Sequence, residues 1–362
     1  MLFQVYGMNL LHKTYHPPGT MPGTLKEPLS GTYSLSLFNY SGPDFFEAHN
    51  LPADTCRTYI ENNNITWVHV QGEPSKQALV SLVDSFDIHE LYIEDVANVG
   101  QRPKLEVLDK QLFLILSLPV NGQEKVNIEQ VSLFLGERTL ISFCTGDVNP
   151  FEAVIERLRT NPSRLRKRKT DYLFYCLIDS VIDYGYPILE QYADNIQNIE
   201  DVLLESHNNN VLHQIHSLRR ELLLLRRRLW PQREVINQLL RNDDNNLIQS
   251  DTLIFLRDCH DHTISVMEIL ETYHEMTSGL MELHMTTVSQ RLNDVMNVLT
   301  IIATLFIPPT FIVGLYGMNV SPALGPLSMP ELTSQYGYIG VWGIIITMIS
   351  GMLYYFKRKN WL

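Results

Sequence analysis

The chain has 362 residues and a formal net charge of −12, from 28 Lys and Arg against 40 Asp and Glu. Its length suggests two or three domains, and 45% hydrophobic residues can build a core, which excludes wholesale disorder. The acidity excludes nucleic acid as a partner of the whole chain, because phosphate neutralisation needs a basic surface, and it suits a cation.

Residues 1–30 begin "MLFQVYGMNLLHKTYHPPGTMPGT" and lack the basic start, long apolar run and small-residue cleavage site of a signal peptide. The Pro and Gly content predicts a mobile terminal segment. It contains Tyr-Gly-Met-Asn at Tyr6 to Asn9, a tetrapeptide repeated at Tyr316 to Asn319.

Residues 31–165 alternate in character. The runs "TYSLSLFNY", "ITWVHVQG", "QLFLILSLPV" and "EQVSLFLGERTLISFC" read as strands, and "LFLGERTLISF" as a hairpin turning at Gly136-Glu137. "SKQALVSLVDSF" and "PFEAVIERLRTN" read as helices, so the sequence predicts an α/β domain with a mostly antiparallel sheet.

Residues 166–297 are almost all helix formers and predict a stalk of long antiparallel helices, interrupted at Pro187, Pro231 and "RNDDNN". The last helix is expected to start near Ser250. Between Thr252 and Ile307 the only glycine is Gly279 and proline is absent, so one helix is predicted to run on into the next segment. Its length would exceed about 70 Å at about 1.5 Å per residue.

The basic clusters "RLRKRK" (Arg164 to Lys169) and "RRRLW" (Arg226 to Trp230) read as solvated faces or as partners for carboxylates of another copy. His213 and His216 read as helix-surface residues, since no Cys or His flanks them at zinc spacing. Asp258, Asp261 and His262 share a helical face that suits a cation. Cys56, Cys144, Cys176 and Cys259 have neither disulfide nor zinc spacing and read as free thiols.

Residues 298–316 and 338–356 contain no charge, and each is long enough to cross the hydrocarbon as a helix. Tyr316, Tyr336, Tyr338, Tyr354, Tyr355 and Trp361 suit interfacial belts. The loop 317–337 has no Lys or Arg, whereas the tail 357–362 carries Lys357, Arg358 and Lys359, and Arg291 precedes the first span. The positive-inside rule then puts both termini in the cytosol and the loop outside, making a multi-pass protein of the cell (inner) membrane. The second Tyr-Gly-Met-Asn thus ends a membrane helix and opens the loop, while coincidence accounts for the first.

At the 3.5-residue period of a supercoiled bundle, Asn293, Thr300, Ile307 and Gly314 align, with Met296 or Asn297, Ala303 or Thr304, and Thr310 between them. Alone, this stripe fits either a pore lining or helix–helix packing by small polar residues. No P-loop or nucleophile–base motif appears, so no enzyme is expected.

The stretch "VMNVLTIIATLFIPPTFIVGLYGMN", followed by "MPEL" and a span ending "YYFKRKNWL", closely resembles the CorA family of magnesium channels. "IHELYIEDVANVGQRPKLE", "EQVSLFL", "RKRKTDYLFYCLID", "LWPQREVI" and "RDCHDHT" resemble that family's other landmarks, so the resemblance covers about Gly31 to Leu362. It implies a homopentameric, funnel-shaped channel: a cytosolic α/β domain, a long-helix stalk and two C-terminal transmembrane helices, the first lining the pore. It makes Gly317, Met318 and Asn319 the selectivity filter and resolves the stripe as pore lining, with apolar gates matching Leu299 and Ile307.

It also implies that Asp95 faces Asp258 of a neighbouring subunit, with Glu94 and Asp179 nearby, around a regulatory magnesium ion. Mg2+ is then both the transported and the regulatory ion, with Co2+ or Ni2+ as further cargo and no organic cofactor. The implied partners are membrane lipid, further copies of the chain and divalent cations. The first departure is Ile307-Pro308-Pro309-Thr310-Phe311, where members commonly show Met-Pro-Leu-Thr-Phe; tandem prolines predict a local kink. Two alternatives are a zinc transporter of the same superfamily and a membrane-tethered sensor that binds magnesium without conducting.

Overall fold

The computed structural model describes residues 19, 21, 25, 31–60, 64–108, 110–122, 126–160, 164–205, 210–241, 247–318, 329 and 334–359. The first Tyr-Gly-Met-Asn, Asn319 and Asn9 therefore lie outside the described residues. The chain divides into one unit over Met1–Leu280 and another over Met281–Leu362.

In the first unit one sheet contains β1 (Tyr33–Ser41), β2 (Asp44–His49), β3 (Ile65–Gly72), β4 (Lys104–Val107), β5 (Leu112–Asn121), β6 (Val126–Leu135) and β7 (Thr139–Cys144). Their order is β2-β1-β3-β7-β6-β5-β4, and only β3 and β7 pair in parallel. The β6–β7 hairpin is present, closed by a Gly136 N–H bond to the Thr139 carbonyl at 2.8 Å.

Strand β5 shows why the sheet is covered twice. Leu112, Leu114, Leu116 and Leu118 enter one core, while Phe113 and Ile115 enter the other. An apolar run without polar alternation is what a strand buried on both faces requires. Helices α1 (Arg57–Ile60), α2 (Lys76–Phe86) and α3 (Glu90–Ala97) border the Phe113 side. The Leu114 side takes α4 (Glu152–Arg159), α5 (Thr170–Asp183), α7 (Val211–Arg241) and the start of α8 (Ser250–Tyr316). Helix α6 (Gly185–Glu205) packs against α7 and β5.

Of the two expected interruptions, the one at Pro187 coincides with the break between α5 and α6, whereas Pro231 interrupts nothing. Pro187 lies in the first turn of α6, where a missing N–H leaves no helical bond unmade. Pro231 lies inside α7 and is buried. The next residue, Gln232, accepts a bond from the Ser117 N–H at 2.6 Å, so the sheet holds the helix where its own ladder lacks a donor.

Helix α8 starts at Ser250, as expected, and runs 67 residues to Tyr316. It remains helical through Pro308 and Pro309, where the sequence predicts the helix to be disfavoured. Two consecutive prolines leave the Thr304 and Leu305 carbonyls without the usual N–H four residues on. The second unit also contains α9 (Gly337–Arg358). The most apolar windows of α8 and α9 are only 6% and 11% buried, which separates them from the core helices of a soluble domain.

Candidate functional site

The stripe residues lie on the C-terminal part of α8. Asn293, Met296, Leu299, Thr300, Ile307, Thr310 and Gly314 are exposed and Ala303 is half-buried. The hydroxyls of Thr300 and Thr310 donate to the Met296 and Phe306 carbonyls, each at 2.7 Å. Their protons are thus satisfied within the helix, and oxygen lone pairs remain for another donor such as an ion's water.

The helix ends where the filter motif begins. Gly317 N–H reaches the Val313 carbonyl at 2.8 Å and Met318 N–H the Leu315 carbonyl at 3.2 Å. A Cβ on Gly317 would lie 3.1 Å from Val313 O and 3.4 Å from Gly314 O, so a side chain there presses on the last carbonyls. A helix C-terminus is the negative end of its dipole and favours a cation.

The carboxylates expected to bind a regulatory ion fall into two places in one chain. Asp95, on α3, accepts from Gln101 Nε2 at 2.7 Å and pairs with Lys104 Nζ at 2.6 Å. Lys104 also pairs with Glu106. Burial opposes the Lys104 charge, but the bonds to Asp95 and Glu106 outweigh it and raise its pKa. Glu94 sits beside Asp95, and its carbonyl accepts the Asn98 N–H at 2.8 Å.

Asp179, on α5, and Asp258, on α8, lie at the second place, around His262. His262 Nδ1 is 3.4 Å from Asp183 Oδ1 and 4.0 Å from Asp179 Oδ1, and Nε2 is 3.9 Å from Asp258 Oδ2. Tyr175 hydroxyl donates to Asp179 Oδ2 and Cys259 Sγ to Asp179 Oδ1, both at 3.4 Å. Burial raises the Asp183 carboxyl above its ordinary value, the Asp179 charge adds to this, and His262 opposes it. Asp261 does not join: its Oδ1 lies 3.7 Å from His260 Nδ1.

Residues 62–358 match the family described as CorA-like Mg2+ transporter protein. The chain belongs to the CorA family. The cobalt/magnesium transport protein CorA of Thermotoga maritima is 36% identical over 348 residues, covering 96% of this chain and 97% of that protein. The zinc transport protein ZntB of Yersinia enterocolitica is a more distant relative, 22% identical over 75% of this chain and 81% of its own length. The complete structure of the CorA magnesium transporter from Methanocaldococcus jannaschii shares the fold, with a TM-score of 0.74 at 18% identity over 90% of this chain and 98% of that one. The CorA family is one of membrane transporters and not of enzymes.

Asp183 escapes the sequence reading of this CorA-family chain, although its spacing from Asp179 within "IDSVID" puts both on one face of α5. The partnership of Lys104 with Asp95 is equally missed, because it depends on β4 lying beside α3. Arg166, read as part of a solvated face, is in fact buried, its guanidinium bonded to the Arg159 and Pro43 carbonyls at 3.0 and 3.3 Å. Arg226 and Arg233 flank the Trp230 ring at 5.2 and 5.1 Å, and Arg226 pairs with Glu271 at 2.8 Å. His213 and His216 are exposed on α7, and all four cysteines are free and buried.

Proposed function

We infer that the chain is a passive channel for hydrated magnesium, assembled from five copies, with both termini cytosolic and the loop 317–337 outside. The observation that carries this is α8, whose exposed stripe of small, polar and apolar residues leads without a break to Gly317 and Met318. Magnesium gives up its waters reluctantly, so a pore for it needs oxygens that grip the hydration shell rather than a carboxylate cage. Thr300, Thr310 and the carbonyls at the helix end are such oxygens, with Asn319 completing the filter. Family membership supports the reading, as does the cobalt/magnesium cargo of the Thermotoga relative.

Membrane potential supplies the driving force. A divalent ion gains about 4.6 kcal/mol per 100 mV, twice the single-charge value. Leu299 and Ile307 close the pore by excluding water from an apolar constriction. Cytosolic magnesium between Asp95 of one subunit and Asp258 of the next, assisted by Glu94 and Asp179, holds the closed state; it shifts the equilibrium because it binds that state more tightly. A second reading, zinc transport, is favoured by the ZntB relative and by the imidazole among the carboxylates.

Purified protein in liposomes, assayed with magnesium, cobalt and zinc, tests both. The expected result is potential-driven magnesium flux that Asn319→Ala abolishes and Asn9→Ala leaves alone. Flux confined to zinc selects the second reading. Absence of any flux from correctly assembled protein would indicate a sensor that does not conduct.

A further inference from the structure

Two buried glutamines surround Asp95. Gln101, in the turn between α3 and β4, donates from Nε2 to Asp95 Oδ1 at 2.7 Å. Gln130, on β6, donates from Nε2 to the Asp95 carbonyl at 2.8 Å, and its Oε1 accepts the Gln101 N–H at 3.0 Å. The two are only 8% and 3% exposed. One side-chain amide thus holds the backbone of Asp95 and also the backbone of the residue that grips its carboxylate.

This geometry is set from several sides. A carbonyl needs the NH2 end of an amide and an N–H needs its oxygen, so one orientation of Gln130 serves both groups. Gln130 Nε2 also reaches Ser132 Oγ at 3.3 Å, and the Gln130 N–H donates to Thr145 Oγ1 at 3.0 Å, which ties the residue to the sheet. Gly100, at φ 89°, supplies the left-handed backbone that turns the chain back over α3. Arg228 of α7 donates to the Gly100 carbonyl at 2.9 Å, so the turn is held from the sheet and from α7 together.

The Asp95 carboxylate has one partner on each oxygen, Gln101 Nε2 on Oδ1 and Lys104 Nζ on Oδ2. Each oxygen keeps a further lone pair for an ion or its water. The Gln101 bond draws some charge from the carboxylate, yet it stops both oxygens from turning to the Lys104 ammonium. Orientation is the larger effect, since outer partners of metal ligands typically govern about 10–100-fold in affinity. Building on the regulatory role assigned above to Asp95, we propose that Gln101 and Gln130 are its positioning residues. Gln130 fixes the turn, and Gln101 holds the carboxylate ready for a magnesium ion between subunits. Neither touches the ion; both act through Asp95.

The test uses the full-length protein in mild detergent. Protease cleavage of residues 31–280 is followed as magnesium is raised, and amide hydrogen exchange is measured without magnesium. Asp95→Ala should move protection to higher magnesium. Gln101→Leu and Gln130→Met should move it the same way by at least about 10-fold, the loss that outer-partner changes cause. Without magnesium, Gln130→Met should speed exchange across residues 96–104, because two backbone bonds of the turn lose their partner. Gln101→Leu should add nothing to Asp95→Ala, since the glutamine then has no carboxylate to orient. Gln101→Leu leaves the backbone bonds of the turn in place, so it decides alone if Gln130→Met does not fold. Glutamine variants that overlay the wild type while Asp95→Ala is shifted overturn the proposal and leave the glutamines as packing. A further shift in the Gln101→Leu/Asp95→Ala double variant overturns it too. An Asp95→Ala curve that overlays the wild type removes the regulatory role of Asp95 itself, and its positioning residues with it.

Discussion

At the scale of single residues, Lys104 makes a prediction about regulation. Its ammonium already occupies Asp95, the carboxylate proposed to bind magnesium across the interface. A regulatory ion must therefore compete with a positive charge, which sets a weak affinity. Lys104→Met should move inhibition by internal magnesium to lower concentration, whereas Asp95→Ala and Asp258→Ala should move it to higher concentration. The double aspartate variant should add little to either single one, because both sides of one site are already broken. Flux measured against internal magnesium decides it; identical curves for all variants would place the sensor elsewhere.

His69 makes the pH prediction. It is buried on β3, with Nδ1 2.8 Å from Ser142 Oγ and Nε2 3.1 Å from Gln71 Oε1. Gln71 Nε2 donates to the Gly146 and Val148 carbonyls, so its Oε1 is the acceptor for a His69 Nε2–H. Trp67 Nε1 donates to Ser142 Oγ, which leaves the serine proton for His69 Nδ1. The chain of bonds needs a neutral imidazole, and burial pushes its pKa down to about 4. The unfolded chain takes up a proton near about pH 6.5, the folded chain not until about 4. Stability from this residue is thus complete above the higher value and lost as pH falls toward the lower. Thermal unfolding should show that loss in the wild type and a shallower pH dependence in His69→Gln.

At the scale of elements, α8 tolerates two adjacent prolines that an isolated helix would not. An interior proline costs about 3 kcal/mol or more, and on the proposed function two carbonyls are freed here in a segment surrounded by lipid and by other copies. That free energy is recovered only if those carbonyls find a partner, and water in an open pore is one. Pro309→Leu restores one helical donor. It should raise thermal stability in detergent and lower magnesium flux at a fixed potential. Higher flux together with lower stability would mean that the prolines pack rather than gate.

At the scale of the whole molecule, the exposed surface of the second unit demands company. Leu292, Val295, Leu299, Phe306, Ile307, Phe311 and Val313 on α8 are more than half exposed in a single chain. An apolar surface of this extent is not stable in water. On the proposed function lipid covers part of it and neighbouring copies of α8 cover the rest. The protein should therefore run as a pentamer in mild detergent by mass measurement. In oriented vesicles, protease should reach residues 31–280 only from the cytosolic side. A monomer, or cleavage of that region from outside, would contradict the assembly or the orientation respectively.

The amino-acid sequence determined the two apolar helices, the start of α8 at Ser250 and the strands β1, β3, β5, β6 and β7, because each is written in consecutive residues, while the short, more polar edge strands β2 and β4 escaped it. A span is an uninterrupted apolar run, a hairpin is two apolar runs about a glycine-containing turn, and Gly317-Met318-Asn319 is read directly as a motif. Family membership was legible for the same reason. Tertiary structure decided what depends on distant segments meeting. Pro231 reads as a break until the sheet is seen to hold Gln232 through Ser117. Asp95 reads as a free metal ligand until β4 brings Lys104 to it. Asp183 and His262 belong to different helices, and only the packing of α5 against α8 puts the carboxylate 3.4 Å from the imidazole. Local pattern specifies elements, whereas a site made across elements exists only once burial of their apolar faces has fixed which side chains face each other.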